Sequence, residues 1–290
     1  MTYGYNSGGG FRINGRIIIA IVIAIGAIVS YLSKRSVNPV TGETQHVAMA
    51  PDQEIAMGLQ AAPEMAAQMG GEVPASDPRA AEVEKVGENV VQHSDAGSAQ
   101  SPYAHNFQFH LLRDPQTINA FALPGGQIFI TDGLYEKLEN EAQLAGVLGH
   151  ETGHVINRHA AQHMAKGQLG GLLATAVGVG ASSNRDSRGY SAAVIAQLVN
   201  NMAQLKFSRH DESQADEFGL KYMSQAGYDP REMLHVMEIL KAVSGTGHTP
   251  EMLQTHPLPQ TRLDEIGAKL KQMYPNGIPT DLTKGQELPN

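Results

Sequence analysis

The sequence predicts a mostly helical α+β domain behind a single apolar N-terminal segment, on three observations. Windows after Glu139 repeat apolar residues at helical spacing, a stretch between Phe107 and Ile130 alternates as strands do, and residues 17–32 form one charge-free apolar run. The chain has 290 residues, a formal charge of −8, 41% hydrophobic and 17% charged residues, which excludes a wholly disordered chain and requires a core. The balance of 29 Asp+Glu against 21 Lys+Arg offers no electrostatic footprint for nucleic acid. With no cysteine there is no disulfide framework, thiolate metal site or cysteine nucleophile. Any metal must sit on His, Asp or Glu.

In chain order the reading is an N-terminal tail (1–16), a membrane anchor (17–32), a linker (33–51), a folded domain (52–274) and a C-terminal tail (275–290). At about 1.5 Å per residue the run IIIAIVIAIGAIVSYL covers roughly 24 Å, and residues 13–16 extend it to about 20 residues. Arg16 on one side and Lys34 and Arg35 on the other can reach the bilayer interfaces. We read an anchor rather than a cleaved signal peptide or a buried core helix; bulky Val29, Tyr31 and Leu32 stand where a cleavage site needs small residues. Basic residues flank both ends, so charge leaves the orientation open.

Residues 36–50 are polar, with Pro39 and Gly42 as turn formers, and read as a connector. Asp52 to Met69 reads as a helix stopped by Gly70-Gly71 and kinked or broken at Pro63; Pro78 to Gln92 reads as a second. Phe107, Phe109 and Leu111 alternate along a strand, and Asn119 to Leu123 and Gln127 to Ile130 flank Pro124-Gly125-Gly126, giving a small sheet. Helical patterns return in Glu139 to about Lys166, Ala192 to Gln225, Pro230 to Lys241 and Gln260 to Met273. Gly167 to Ala181, rich in Gly and Ala, is too short for a span and reads as packing helix or lid. The tail beyond about Pro275 carries no periodic signal.

The chemistry concentrates in GVLGHETGHVINRH, residues Gly146 to His159. His150 and His154 are four apart, so on a helix both imidazoles leave one face about a turn apart and can share a metal, with Glu151 about 100° round beside them. In this H-E-x-x-H arrangement two His hold Zn²⁺, whose charge brings the pKa of its water to about 7, and the Glu takes the proton. His159 and His163, also four apart, fall about 180° and 220° from His150, so they face away from the proposed metal on a solvated or packed surface. A catalytic zinc needs a third protein ligand and an open position. Asn157 and Ala160 stand where the extended metzincin pattern requires Gly and His, which excludes that class. The outstanding candidate lies in SRHDESQADEFG, where Glu212 could ligate while Asp216, one turn on, holds a ligand imidazole by a hydrogen bond. Were Gln127 to Ile130 a free edge beside the metal, an extended peptide could add to it as a strand.

These residues resemble the M48 metallopeptidases over roughly Asn119 to Ile266, through NAFALPGGQIFITDGL, HETGH, SRHDESQAD and THPLPQTR (Thr255 to Arg262) in that order. The resemblance implies a gluzincin-type domain with a small sheet beside the HExxH helix. It implies one Zn²⁺ on His150, His154 and Glu212, Glu151 as general base, and Asp216 beside the ligands. The family's downstream His falls on His256, which by similarity to the BepA-like members is a fourth, displaceable ligand or a transition-state contact, with Arg262 in the same switch. One N-terminal span before a soluble domain resembles the envelope-facing BepA-like and LoiP-like members rather than the multi-span branches. The resemblance thus implies a membrane-anchored zinc metalloendopeptidase, its domain on the periplasmic side, acting on unfolded or misassembled proteins. Two other readings stay open: a tethered chaperone with latent proteolysis, and an interaction module with structural zinc.

Overall fold

A computed structural model describes residues 15–178, 205–244, 250–256 and 260–290. The helical pattern from Ala192 to residue 204, the end of the Gly167 to Ala181 stretch and residues 257–259 lie outside it. The sheet has the strand order β3-β5-β4, from β3 (Gln108–Leu112), β4 (Ala120–Leu123) and β5 (Gln127–Thr131). β5 is parallel to β3 and antiparallel to β4. Gln127 to Ile130 is therefore the central strand, not a free edge; its unbroken Ile128-Phe129-Ile130 run is buried on both faces, as a middle strand requires. The edge nearest the candidate ligands is β4. Gly125 (φ +84°) and Gly126 (φ +110°) supply the left-handed turn between the two strands.

Two helices precede the sheet, α2 (Pro51–Gln68) and α3 (Pro78–Gln92). Asp77 starts α3 by accepting a bond from the Arg79 backbone N–H, and Pro78 fits the first helical position. α2 runs through Pro63 without ending, so of the expected kink or break the break does not occur; the carbonyl that proline leaves unpaired belongs to Leu59, which is exposed and can turn to water. After the short α4 (Asp132–Tyr135) comes α5 (Glu141–Ile156), which carries HETGH and is buried along its whole length. The core packs around it: Val83, Val86 and Val90 from α3, Ile128 and Ile130 from β5, and Leu144 and Leu148 from α5 itself. Each such side chain contributes about 1.5–3 kcal/mol by burial.

Both ends of α5 are tied by segments whose sequence shows no periodicity. Asn140 caps the start, accepting from Gln143 N, while the first two helical N–H groups, of Glu141 and Ala142, donate to the carbonyls of Gln286 and Lys284 in the C-terminal tail. At the other end Asn38 Nδ2 donates to Ile156 O (2.7 Å) and Gln45 Nε2 to Asn157 O (2.9 Å). Asn38 and Gln45 belong to a hairpin of β1 (Arg35–Val37) and β2 (Thr44–His46). The connector is thus packed against the domain: its buried polar side chains satisfy helix carbonyls, each bond contributing about 0.5–1.5 kcal/mol.

The pattern from Glu139 to Lys166 is two helices, not one. α5 ends at Ile156, Arg158 takes a left-handed backbone (φ +57°), and α6 (His159–Gly178) starts in a new direction. A non-glycine residue there costs about 1 kcal/mol. It is held by its guanidinium, which bonds the buried Glu54 of α2 (Nε 3.0 Å, Nη2 2.5 Å) and Met49 O (2.6 Å). α6 packs along α1 (Gly15–Ser33), and Lys34 of the α1 exit bonds Gln168 of α6. α1 exposes Ile18, Ile21, Val22, Ile25 and Val29. Its side chains are described from Ile18, and no helix among the described residues is long and apolar enough to cross a membrane. The remaining helices are α7 (Arg209–Gln225), started by a Ser208–Asp211 capping box, α8 (Glu232–Ser244), α9 (Glu251–Thr255) and α10 (Gln260–Met273).

Candidate metal centre

α5 and α7 approach closely because the seam between them is made of small residues. A Cβ on Gly219 would lie 2.8 Å from Met233 Cε and 3.1 Å from His150 N, and one on Gly153 would lie 3.0 Å from Ala215 O. That proximity sets Glu212 and Asp216 of α7 against His150 and His154 of α5, all four buried.

His150, His154, Glu212 and His256 each offer one ligand atom within a single cluster that can hold a metal ion. His154 Nε2 lies 3.1 Å from His150 Nε2 and 3.4 Å from Glu212 Oε1. His256 Nδ1 lies 3.4 Å from His150 Nε2 and 2.9 Å from Glu212 Oε1. Ligands about 2.0–2.1 Å from a tetrahedral Zn²⁺ stand about 3.3–3.4 Å apart, so the four atoms fit such an ion. His256 offers the fourth of these atoms.

The groups behind the ligands are ordered too. Asp216 Oδ1 lies 3.0 Å from His150 Nδ1, the atom opposite the cluster. Arg262 clamps Asp216 through Nε and Nη2 (2.7 Å each) and reaches Glu212 Oε2 through Nη1 (2.7 Å). Burial alone would raise both carboxyls, but Arg262 holds Asp216 below its usual range, and His256 with Arg262 hold Glu212 well below. Burial pushes His154 well below the usual histidine range, leaving the neutral imidazole that a metal needs. The Glu151 carboxyl is pushed up by burial; its Oε1 has no hydrogen-bond partner among the described residues and lies 3.8 Å from His256 Nε2. A proton acceptor held beside the cluster is what a general base requires.

The structure overturns the expected placement of His159. Because the helix is interrupted at Arg158, His159 turns back and its Nδ1 meets His154 Nδ1 at 2.8 Å, fully buried, with burial lowering its pKa to about 4. His163 does lie away from the cluster, paired with Asp211 Oδ2 at 2.9 Å. Phe207, which no sequence signal marked, covers the site with its ring 4.1 Å from that of His154 and 5.2 Å from that of His256. Beside them a cleft is lined by Met65, Met69, Phe121, Leu205, Phe207 and His256.

Two histidines one turn apart, a carboxylate from a second helix and a buried glutamate beside them define an HExxH metal centre of the gluzincin type. The chain belongs to peptidase family M48, whose pattern it matches over residues 77–269. The metallopeptidases of this family use zinc. The chain is 30% identical over 197 residues to the beta-barrel assembly-enhancing protease of Escherichia coli (67% of this chain, 39% of that protein), and 32% identical over 194 residues to that of Yersinia pestis (63% and 37%). It is 35% identical over 161 residues to the mitochondrial metalloendopeptidase OMA1 of Schizosaccharomyces pombe (55% and 45%). The chain spans less than half the length of these relatives.

Proposed function

We propose that the chain is a zinc metalloendopeptidase that cleaves unfolded or misassembled proteins at a membrane, in envelope protein quality control. The observation that carries this reading is the four-atom cluster on His150, His154, Glu212 and His256, with the Glu151 carboxylate beside it. Zn²⁺, when bound, supplies Lewis acidity toward the scissile carbonyl and toward water. Glu151 accepts the proton of the attacking water and returns one to the leaving amine. Asp216 and Arg262 hold His150 and Glu212 in place. β4 offers its outer edge to an extended peptide, and the shallow cleft beside it presents the apolar side chains of Met65, Met69, Phe121 and Leu205 to such a peptide. Native proteins bury such side chains, so this cleft favours unfolded ones.

With its Nδ1 in the cluster, His256 would be a fourth ligand to a bound ion, in the place that a substrate carbonyl needs, and would restrain the resting enzyme. His256→Ala is expected to keep zinc on the other three residues and to raise casein cleavage several-fold. A fall in cleavage with zinc retained would make His256 a transition-state contact instead. A fourth ligand there also favours a second reading, a tethered chaperone with latent proteolysis; a Glu151→Gln chain that still performs the cellular role would support it. α1 serves as the anchor in this reading, through its exposed Ile and Val face. The full chain should resist alkaline carbonate extraction from membranes and a chain starting at Val37 should not; equal release of both would remove the anchor.

A further inference from the structure

The two metal-facing histidines are held from behind by different chemistry. His150 has a carboxylate, Asp216, at its Nδ1; His154 has another imidazole. Two neutral imidazoles 2.8 Å apart share one proton, so one nitrogen donates and the other accepts. His154 directs Nε2 at His150 and Glu212, and as a ligand that atom must be unprotonated. Its proton is then on Nδ1, and His159 Nδ1 is the acceptor. His159 in turn carries its proton on Nε2, which faces Gln214 Oε1 at 3.2 Å. The Gln214 amide nitrogen lies 3.0 Å from both carboxylate oxygens of Glu43. An ionised carboxylate only accepts, so Glu43 fixes which end of the amide faces it, and the donor direction runs unbroken from His154 to Glu43. The reverse direction sets two lone pairs against each other at Gln214 or at Glu43. His163 and Asp211 stand alongside, but the nearest Asp211 oxygen is 3.9 Å from His159 Nε2, too far to replace Gln214.

We propose that His159 is a positioning residue for the metal centre, accepting the Nδ1 proton of His154 and thereby holding that ligand with Nε2 free for Zn²⁺, in a relay oriented by Gln214 and Glu43. The helix break at Arg158 is what brings His159 to this place. The relay ties the metal centre to the β1–β2 hairpin, since Glu43 lies just before β2. Removing such an outer partner costs about 10–100-fold in metal affinity.

The test is zinc affinity of the full chain in detergent, by competition with a chromophoric zinc chelator, for four proteins: unaltered, His159→Phe, His159→Asn and Gln214→Leu. Phe keeps the ring and loses the acceptor; Asn loses the ring but places Oδ1 where Nδ1 stood. His159→Phe is expected to weaken zinc binding about 10–100-fold. His159→Asn should bind within a few-fold of the unaltered chain, and Gln214→Leu should weaken binding with His159 itself intact. If the site only needs filling, the order reverses, with Phe tolerated and Asn damaging, and the proposal is overturned. A His159→Phe chain that fails to fold leaves Asn and Gln214→Leu to decide, and unchanged affinity in Gln214→Leu would then sink it. The proposal rests on the metal-centre reading: no zinc in the unaltered chain overturns both, whereas tight zinc in every form overturns this one alone.

Discussion

Glu151→Gln is expected to lower the turnover of casein by about 10²–10⁴-fold while zinc stoichiometry and affinity stay near those of the unaltered chain. Glu151 is buried beside the cluster without being one of its four ligand residues, and its Oε1 has no hydrogen-bond partner among the described residues. The amide is nearly the same shape, so packing around α5 is kept, but it cannot take a proton. The variant therefore separates the chemistry from the fold. Zinc content by atomic absorption, thermal unfolding and casein cleavage on one preparation decide the matter. Cleavage at the unaltered rate by a folded, zinc-loaded Glu151→Gln chain would falsify the assignment of Glu151 as general base. Removing zinc from the unaltered protein with a chelator should abolish cleavage as well, and restoring zinc should recover it.

What the sequence made legible is what depends on a single element and its period. HETGH lies on one helix, so the shared face of His150 and His154 comes from helical spacing alone, and the same logic put Glu212 and Asp216 on one face of α7. The three strands came from alternation and from the glycine pair in the turn, both local signals. The order of strands did not, because alternation assigns faces and says nothing about neighbours; only the unbroken apolar run in β5 hinted at a central place. His159 was misplaced because one residue, Arg158, changes the direction of the chain, and what holds Arg158 is Glu54, 104 positions away. No local pattern announces a left-handed arginine. The linker and the tail carried no periodicity for a related reason: they contribute single polar atoms, Asn38 Nδ2, Gln45 Nε2 and the carbonyls of residues 284 and 286, to the ends of α5.

Arg262→Leu is expected to be the most destabilising single change around the metal centre, costing about 3–5 kcal/mol in the zinc-free chain. Arg262 is 3% exposed, hydrogen-bonds the buried Asp216 carboxylate by a two-point clamp and ion-pairs with the buried Glu212 carboxylate at 2.7 Å. Removing it leaves both carboxylates desolvated, and their pKa values, now held down by the guanidinium, must rise until one or both take a proton. Arg262→Lys should recover little, because an ammonium cannot reproduce the planar fork that Asp216 accepts while also reaching Glu212. The double variant Arg262→Leu with Asp216→Asn should lose less than the single one, since one of the stranded charges is gone. Zinc itself is a cation next to Glu212, so saturating zinc should return part of the loss. Urea unfolding of the four proteins with and without zinc measures each of these differences. A loss below about 1 kcal/mol in zinc-free Arg262→Leu would mean that water reaches these carboxylates, and the buried clamp would no longer account for their ionisation.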